Sequence, residues 1–223
     1  MVKYEQHLRE TFNHYGFPLT AHQVAQFDRY RAELLRWNER INLTAITDDN
    51  EIIHKHFLDS LSILEHISLK KNNSVIDIGT GAGFPGIVLK IYVPDIRLTL
   101  VESSKKKVSF LKFLVPQLDL HRRTTVEILA ERAETCSQQQ EHIGAYDWVF
   151  TRYVATIRDS AVYCLPLLKS TGKWVAYKSG EETIKTEIDE SISYLRTLGG
   201  TVETVFQNPQ FNRSYIVMHH VKP

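Results

Sequence analysis

Val75–Gly86 reads "VIDIGTGAGFPG". A short apolar run carries an acid, Asp77, and four glycines follow it: Gly79, Gly81, Gly83 and Gly86. An apolar run of this length bounded by turn residues has the pattern of a buried strand. The glycines make a turn whose backbone can approach a ligand closely, and "IVLKIY" after them begins a helix. Strand, glycine turn and helix form the opening unit of an open α/β sheet. Such sheets take ligands beyond the C-terminal ends of their strands.

The rest of the chain agrees with that unit. After it, apolar runs at 98–101, 125–129, 148–150 and 174–177 alternate with helix-like stretches at 86–92, 105–118, 156–167 and 181–198. Alternation of this kind predicts a mostly parallel sheet with helices on both faces. The last two runs, 202–206 and 215–219, have only "QNPQFNR" between them and predict an antiparallel hairpin at a sheet edge. Before the glycine turn the period is helical. Tyr4, His7, Leu8, Thr11 and Phe12 keep helix spacing. Thr20 with Gln23 forms a capping-box pattern ahead of the stripe Val24, Phe27, Tyr30, Leu34 and Trp37. A third helix is expected over 51–67, and the one strand-like stretch in this half is 43–46. The change of class near Lys70 divides the chain into an N-terminal helical extension, 1–70, packed on a core domain, 71–223.

Composition excludes several classes. The 223 residues are 43% hydrophobic and 24% charged, ordinary for a globular chain. No apolar run approaches the roughly 20 residues of a membrane span, and "MVKYEQHLRE" is no signal peptide. Two cysteines, Cys136 and Cys164, make neither a disulfide framework nor a metal-ligand spacing, so a cytoplasmic protein without a metal is expected. Net charge is +1, so a polyanion would be met by a local patch rather than a global field.

The glycines allow two cofactors. Gly81, Gly83 and Gly86 fit G-x-G-x-x-G, and Glu102 at the end of the second strand suits a ribose diol in either case. Asp77 separates them. A carboxylate beside a pyrophosphate would repel it. The same carboxylate favours the sulfonium and ammonium groups of S-adenosylmethionine. Asp77, Gly79, Gly81, Gly83 and Glu102, with Ser103 beside it, therefore form a candidate methyl-donor site. The residues after the other strands share the same rim. They include Lys106, Arg132, Arg152 and Lys178, basic groups suited to a phosphate-bearing substrate. A small-molecule methyltransferase, a nicotinamide-dependent oxidoreductase and a non-catalytic ribosome-assembly factor are the competing readings. No Pro-Pro motif follows the fourth strand, and no activated thiol or zinc-type histidine spacing is evident.

The segments "WNERINLTAI", "HKHFLDSL", "VIDIGTGAGFPGIVLKI", "LVESSKKKVSFLK", "AERAE" and "YDWVFTRYVAT" follow one another in this order. Together they resemble the bacterial small-subunit (16S) ribosomal RNA guanine-N7 methyltransferases, the RsmG family, also called glucose-inhibited division protein B. The resemblance covers about 37–178. It implies a Rossmann-like class I methyltransferase fold, S-adenosylmethionine as cofactor, and a guanine of 16S RNA or the small subunit as substrate, acted on by a monomer. By matched position, Gly79, Phe84, Ala133, Glu134 and Arg152 would contact the donor. Asn42, His56, Asp59 and Ser60 match a helix motif facing the donor pocket. Lys106, Arg132 and Lys178 match positions that meet RNA. Guanine N7 carries a lone pair and no proton, so no general base is needed, and Asp59 is the candidate carboxylate for stabilising the product side. "TRYVA" departs from the commoner "SRAFA", which puts the pocket wall at Tyr153 and Val154 in question.

Overall fold

A computed structural model of the chain describes residues 2–179 and 181–221. Helix α1 is Val2–His14 and α2 is Ala21–Ile41. The capping box forms: the Gln23 N–H donates to Thr20 Oγ1 at 3.3 Å, and Gln23 Oε1 accepts from the Thr20 N–H at 2.9 Å. Val24, Phe27, Tyr30 and Leu34 are buried along one stripe of α2. Asn42 ends the helix in a left-handed conformation, φ 48°.

The third helix is less regular than its sequence predicts. Its turns are α over Asp49–Glu51, π over Ile52–Leu58, α again over Asp59–Leu61 and 3₁₀ over Ser62–Glu65. We call the series α3. The widened π segment keeps Ile52, Ile53, Phe57 and Leu58 in the core, and the turn after it buries Asp59 and Ser60. The stretch 43–46 is not a strand; its Thr44 bonds to α3 instead.

Seven strands follow: β1 Ser74–Ile78, β2 Arg97–Val101, β3 Val126–Leu129, β4 Tyr146–Arg152, β5 Leu168–Lys178, β6 Gly200–Asn208 and β7 Arg213–His220. They form one sheet in the order β3-β2-β1-β4-β5-β7-β6. Pairings among β1 to β5 are parallel, and β7 lies antiparallel between β5 and β6. The predicted edge hairpin is therefore present, with its first strand outermost. The helices between strands are α4 Gly86–Tyr92, α5 Lys105–Gln117, α6 Ala133–Cys136, α7 Ile157–Leu167 and α8 Glu181–Thr197.

Strand alternation divides the core in two. Val75, Val175, Tyr177, Tyr215 and Val217 face a cluster shared with α1 to α5. Ile76, Trp174, Ala176, Ile216 and Met218 face a second cluster shared with α6, α7 and α8. The chain direction switches between β1 and β4, so the glycine turn leaves the sheet where a crevice must open.

Candidate active site

The glycine loop is held by carboxylates whose partners are mainly backbone. Asp77 is fully buried, and its Oδ2 accepts from the Gly86 N–H at 2.8 Å and Thr80 Oγ1 at 2.6 Å. Burial pushes its carboxyl up to about 7, against the hydrogen bonds from Thr80 and Gly86. Asp77 lines neither cavity described below, and its Oδ1 is buried with no hydrogen-bond partner. Glu102 bridges two segments. Its Oε2 accepts from the Gly81 N–H at 3.0 Å and its Oε1 from the Ser104 N–H at 2.7 Å.

Above the loop lies a narrow cavity of about 140 Å³, lined by Gly79, Glu102, Ser103, Ala133 and Glu134 among others. Val154 closes it from the far side. A Cβ built on Gly79, whose φ is +68°, would stand 2.7 Å from Val154 Cγ2. Gly83 answers to packing instead: a Cβ there would meet Tyr30 Oη at 2.7 Å, where that hydroxyl donates to the Ala82 carbonyl.

On the other side of the Tyr153–Val154 peptide is a larger cavity of about 540 Å³ between α3, β4 and the β6–β7 turn. Its wall holds an Arg–Asp–Arg group. Asp59 is 2% exposed and pairs with Arg213 through both oxygens, at 2.8 and 2.9 Å, and with Arg152 Nη2 at 2.6 Å. Arg152 also donates to Ser60 Oγ at 2.9 Å and to the Lys55 carbonyl at 2.6 Å. Arg213 donates to Tyr153 Oη at 2.6 Å and to Ser179 Oγ at 2.6 Å. Both guanidinium groups lie near the Tyr153 ring, 5.3 and 4.9 Å from its centroid, and that residue is 72% exposed. Asp59 is thus neither a surface acid nor a free carboxylate.

Between the cavities stands an aromatic stack. Phe84 lies between Tyr30 at 5.3 Å and His56 at 4.4 Å, nearly parallel to both. Burial, with the Arg152 charge, lowers the His56 imidazole to about 3, so it is neutral near pH 7. Its Nε2 bonds Thr44 Oγ1 at 2.8 Å.

The model of the family described as rRNA small subunit methyltransferase G matches residues 23–210. The ribosomal RNA small subunit methyltransferase G of Alkaliphilus metalliredigens is 39% identical over 219 residues, 96% of this chain and 90% of the relative. That of Roseiflexus sp. is 43% identical over 195 residues, 87% and 81%. The chain belongs to this family. Among solved structures, the mitomycin 7-O-methyltransferase MmcR superposes with a TM-score of 0.57 at 15% identity, over 74% of this chain and 53% of that one. Likeness at that identity speaks for the fold alone, here the Rossmann-like methyltransferase fold.

The structure distributes the family's motif residues unevenly. Gly79, Glu102, Ser103, Arg132, Ala133 and Glu134 share the small cavity. His56, Asp59 and Arg152 line the larger one, and Ser60 is buried behind Arg152. Phe84 lies in the stack, and Gly81 and Gly83 lie in the loop behind the cavity. Asn42 is exposed at the end of α2 and lines neither cavity. Lys106 is exposed on the first turn of α5 and Arg132 is exposed just before α6. Lys178 is tied down: its Nζ pairs with Glu187 and donates to the Ala155 carbonyl, both at 2.7 Å. Three residues of the site went unread. Thr44 sits in the quoted "NLTAI" but carried no chemical signal of its own. Tyr153 stood out only as a departure from the family pattern. Arg213, expected in the hairpin loop, opens β7, and its one signal is that a buried acid requires a partner.

Proposed function

We propose that this protein transfers a methyl group from S-adenosylmethionine to N7 of a guanine in 16S ribosomal RNA. Family membership supports the reaction class, with the small ribosomal subunit or its RNA as substrate. The observation that carries the choice of acceptor is the state of the groups that could take a proton. Asp59 is occupied by two guanidinium groups, the His56 imidazole is held at about 3 by burial and is too weak a base near pH 7, and Lys178 is paired. Guanine N7 offers a lone pair and has no proton to lose, so such a site suits it. An exocyclic amine would need a base.

The lining of the small cavity suits the adenosine part of the donor, with apolar Ile78, Val101 and Ala133 for a flat base and Glu102 for a ribose diol. At about 140 Å³ it holds only part of the cofactor. S-adenosylmethionine, when bound, supplies an electrophilic methyl on a cationic sulfur. The chain's own part is alignment: Gly79 and Val154 fix one side of the approach, Arg152 and Tyr153 the other. The exposed Tyr153 ring, held by Arg213, is a stacking platform for an extruded base. One chain supplies all these groups, which is sufficient for a monomer.

Mapping N7-methylguanine in 16S RNA, from small subunits incubated with the protein and labelled donor, tests the reading. One methylated guanine in 16S RNA is expected. Label on a small molecule or on an exocyclic nitrogen would overturn it.

A further inference from the structure

A second group of reactive side chains lies where α6 leads into β4, bordering the small cavity through Glu131 alone. One donor atom each from Glu131, Cys136 and His142 lie within 4.8 Å of one another. Cys136 is fully buried and His142 is 4% exposed. Glu131 Oε1 and His142 Nε2 are buried with no hydrogen-bond partner.

Two of the three ligands, Glu131 and His142, are braced through their other atom. Gln139 Nε2 donates to Glu131 Oε2 at 2.8 Å. A directed chain fixes the imidazole. Thr99 Oγ1 donates to Glu127 Oε2 at 3.5 Å, so it accepts from the Tyr146 hydroxyl at 3.3 Å. That uses the phenol's one proton, so Tyr146 Oη accepts from His142 Nδ1 at 2.8 Å. The lone pair of His142 is left on Nε2, facing the group. Bracing of this kind is what metal-binding histidines need.

The surroundings are negative: Glu127 and Glu141 stand near Glu131 and Cys136. Among the described residues none of these three acids pairs with a lysine or arginine; Glu141 reaches only His142 Nε2, at 3.7 Å. Acids without a cationic partner and a buried lone pair without a donor are both relieved by one divalent cation.

We propose that Glu131, Cys136 and His142 form a site for a zinc-class divalent metal. Its ligands are Glu131 Oε1, Cys136 Sγ and His142 Nε2, and the thiol proton leaves to solvent as the metal–sulfur bond forms. Sulfur, imidazole and carboxylate together suit zinc or cobalt. Glu141, with a 76% exposed side chain, stands at the mouth to take the fourth position. Tetrahedral ligands lie about 3.5 Å apart, so the group closes by roughly 1 Å on binding. The half-buried Glu131 side chain gives that shift. The metal would staple the β3–α6–β4 connection beside the small cavity, and its test reads metal and thiolate rather than methyl transfer.

The test uses the untagged full-length protein, freed of metal by chelation, with Zn²⁺ and Co²⁺ as probes. One equivalent of Zn²⁺ is expected to bind at micromolar concentration or below. Co²⁺ should give a near-ultraviolet thiolate charge-transfer band. Cys136→Ser should abolish that band and Cys164→Ser should keep it; His142→Gln should weaken Zn²⁺ binding at least about tenfold. Should Cys136→Ser not fold, Glu131→Gln in the same titration takes its place, with the same loss of affinity expected. No saturable binding to the parent protein overturns the assignment. So does a band that survives in Cys136→Ser, or affinity unchanged in both His142→Gln and Glu131→Gln.

Discussion

The two sides of the Tyr153–Val154 peptide hold their carboxylates in opposite ways. On the donor side, Glu102 bonds two backbone N–H groups, and Asp77 bonds one, with the Thr80 hydroxyl beside it and its Oδ1 left without a partner. On the acceptor side, Asp59 is satisfied by the charged side chains of Arg152 and Arg213. Backbone donors cannot be mutated away, and they come with the turn. Guanidinium partners arrive from β4 and β7, so the acceptor wall exists only once the whole sheet has formed. The first kind of site is a local property of the chain and the second a property of its topology.

Asp59→Asn tests that contrast most severely. It leaves two buried guanidinium groups short of a counter-charge, at a cost of about 3–5 kcal/mol in urea unfolding. Affinity of the folded variant for S-adenosylhomocysteine should stay within roughly twofold, because the donor side has its own support. Equal loss on both sides would merge what the structure separates.

Tyr153→Ala should remove about 1–3 kcal/mol of RNA binding, measured by filter binding or fluorescence anisotropy. Donor affinity should not move. A variant that binds RNA as the parent does would exclude the ring as a base platform.

On the donor side the sharper probe is pH. The Asp77 carboxyl rises from 3.8 to about 7 in the folded state. Between those values the folded chain carries a proton that the unfolded chain lacks. The contribution to stability is therefore full below about pH 4 and lost as pH rises through about 7. Asp77→Asn imitates the protonated form and keeps an oxygen for Thr80 and Gly86. The stability of the parent relative to this variant should fall by about one proton's slope across that window. Parallel pH curves for the two would place the ionisation elsewhere.

The smallest effect expected is on the rim. Lys106→Ala should lower the salt dependence of RNA binding by about one unit of slope, since Lys106 is exposed. Lys178→Ala should leave that slope alone, because its charge already faces Glu187.

Legibility followed the same division. All seven strands and the capping box were readable, because short apolar runs and the Thr20–Gln23 pattern are written in neighbouring residues. The glycine turn was readable for the same reason. The bonds of Asp77 to Thr80 and Gly86 were not, since sequence gives the type of a group and not which way it turns. The pairing of Asp59 with Arg213 spans 154 positions and joins two segments without a shared motif. The rim position of Lys178 was read correctly, but its pairing with Glu187 depends on where α8 packs. The irregular winding of α3 has no signature in its apolar spacing.

That winding sets a rule for chain length. The seven residues of the π segment make one wide stretch ahead of Asp59. A π turn carries about one residue more than an α turn, so deleting one residue there would let α geometry resume with Asp59 near its present side of the axis. Inserting one would turn everything after it by about 100°, swinging Asp59 and Ser60 away from both arginines while Ile52 and Ile53 keep their seats. Substitutions within 52–58 are a matter of packing, but an insertion there acts as a clock error that the acceptor wall cannot absorb.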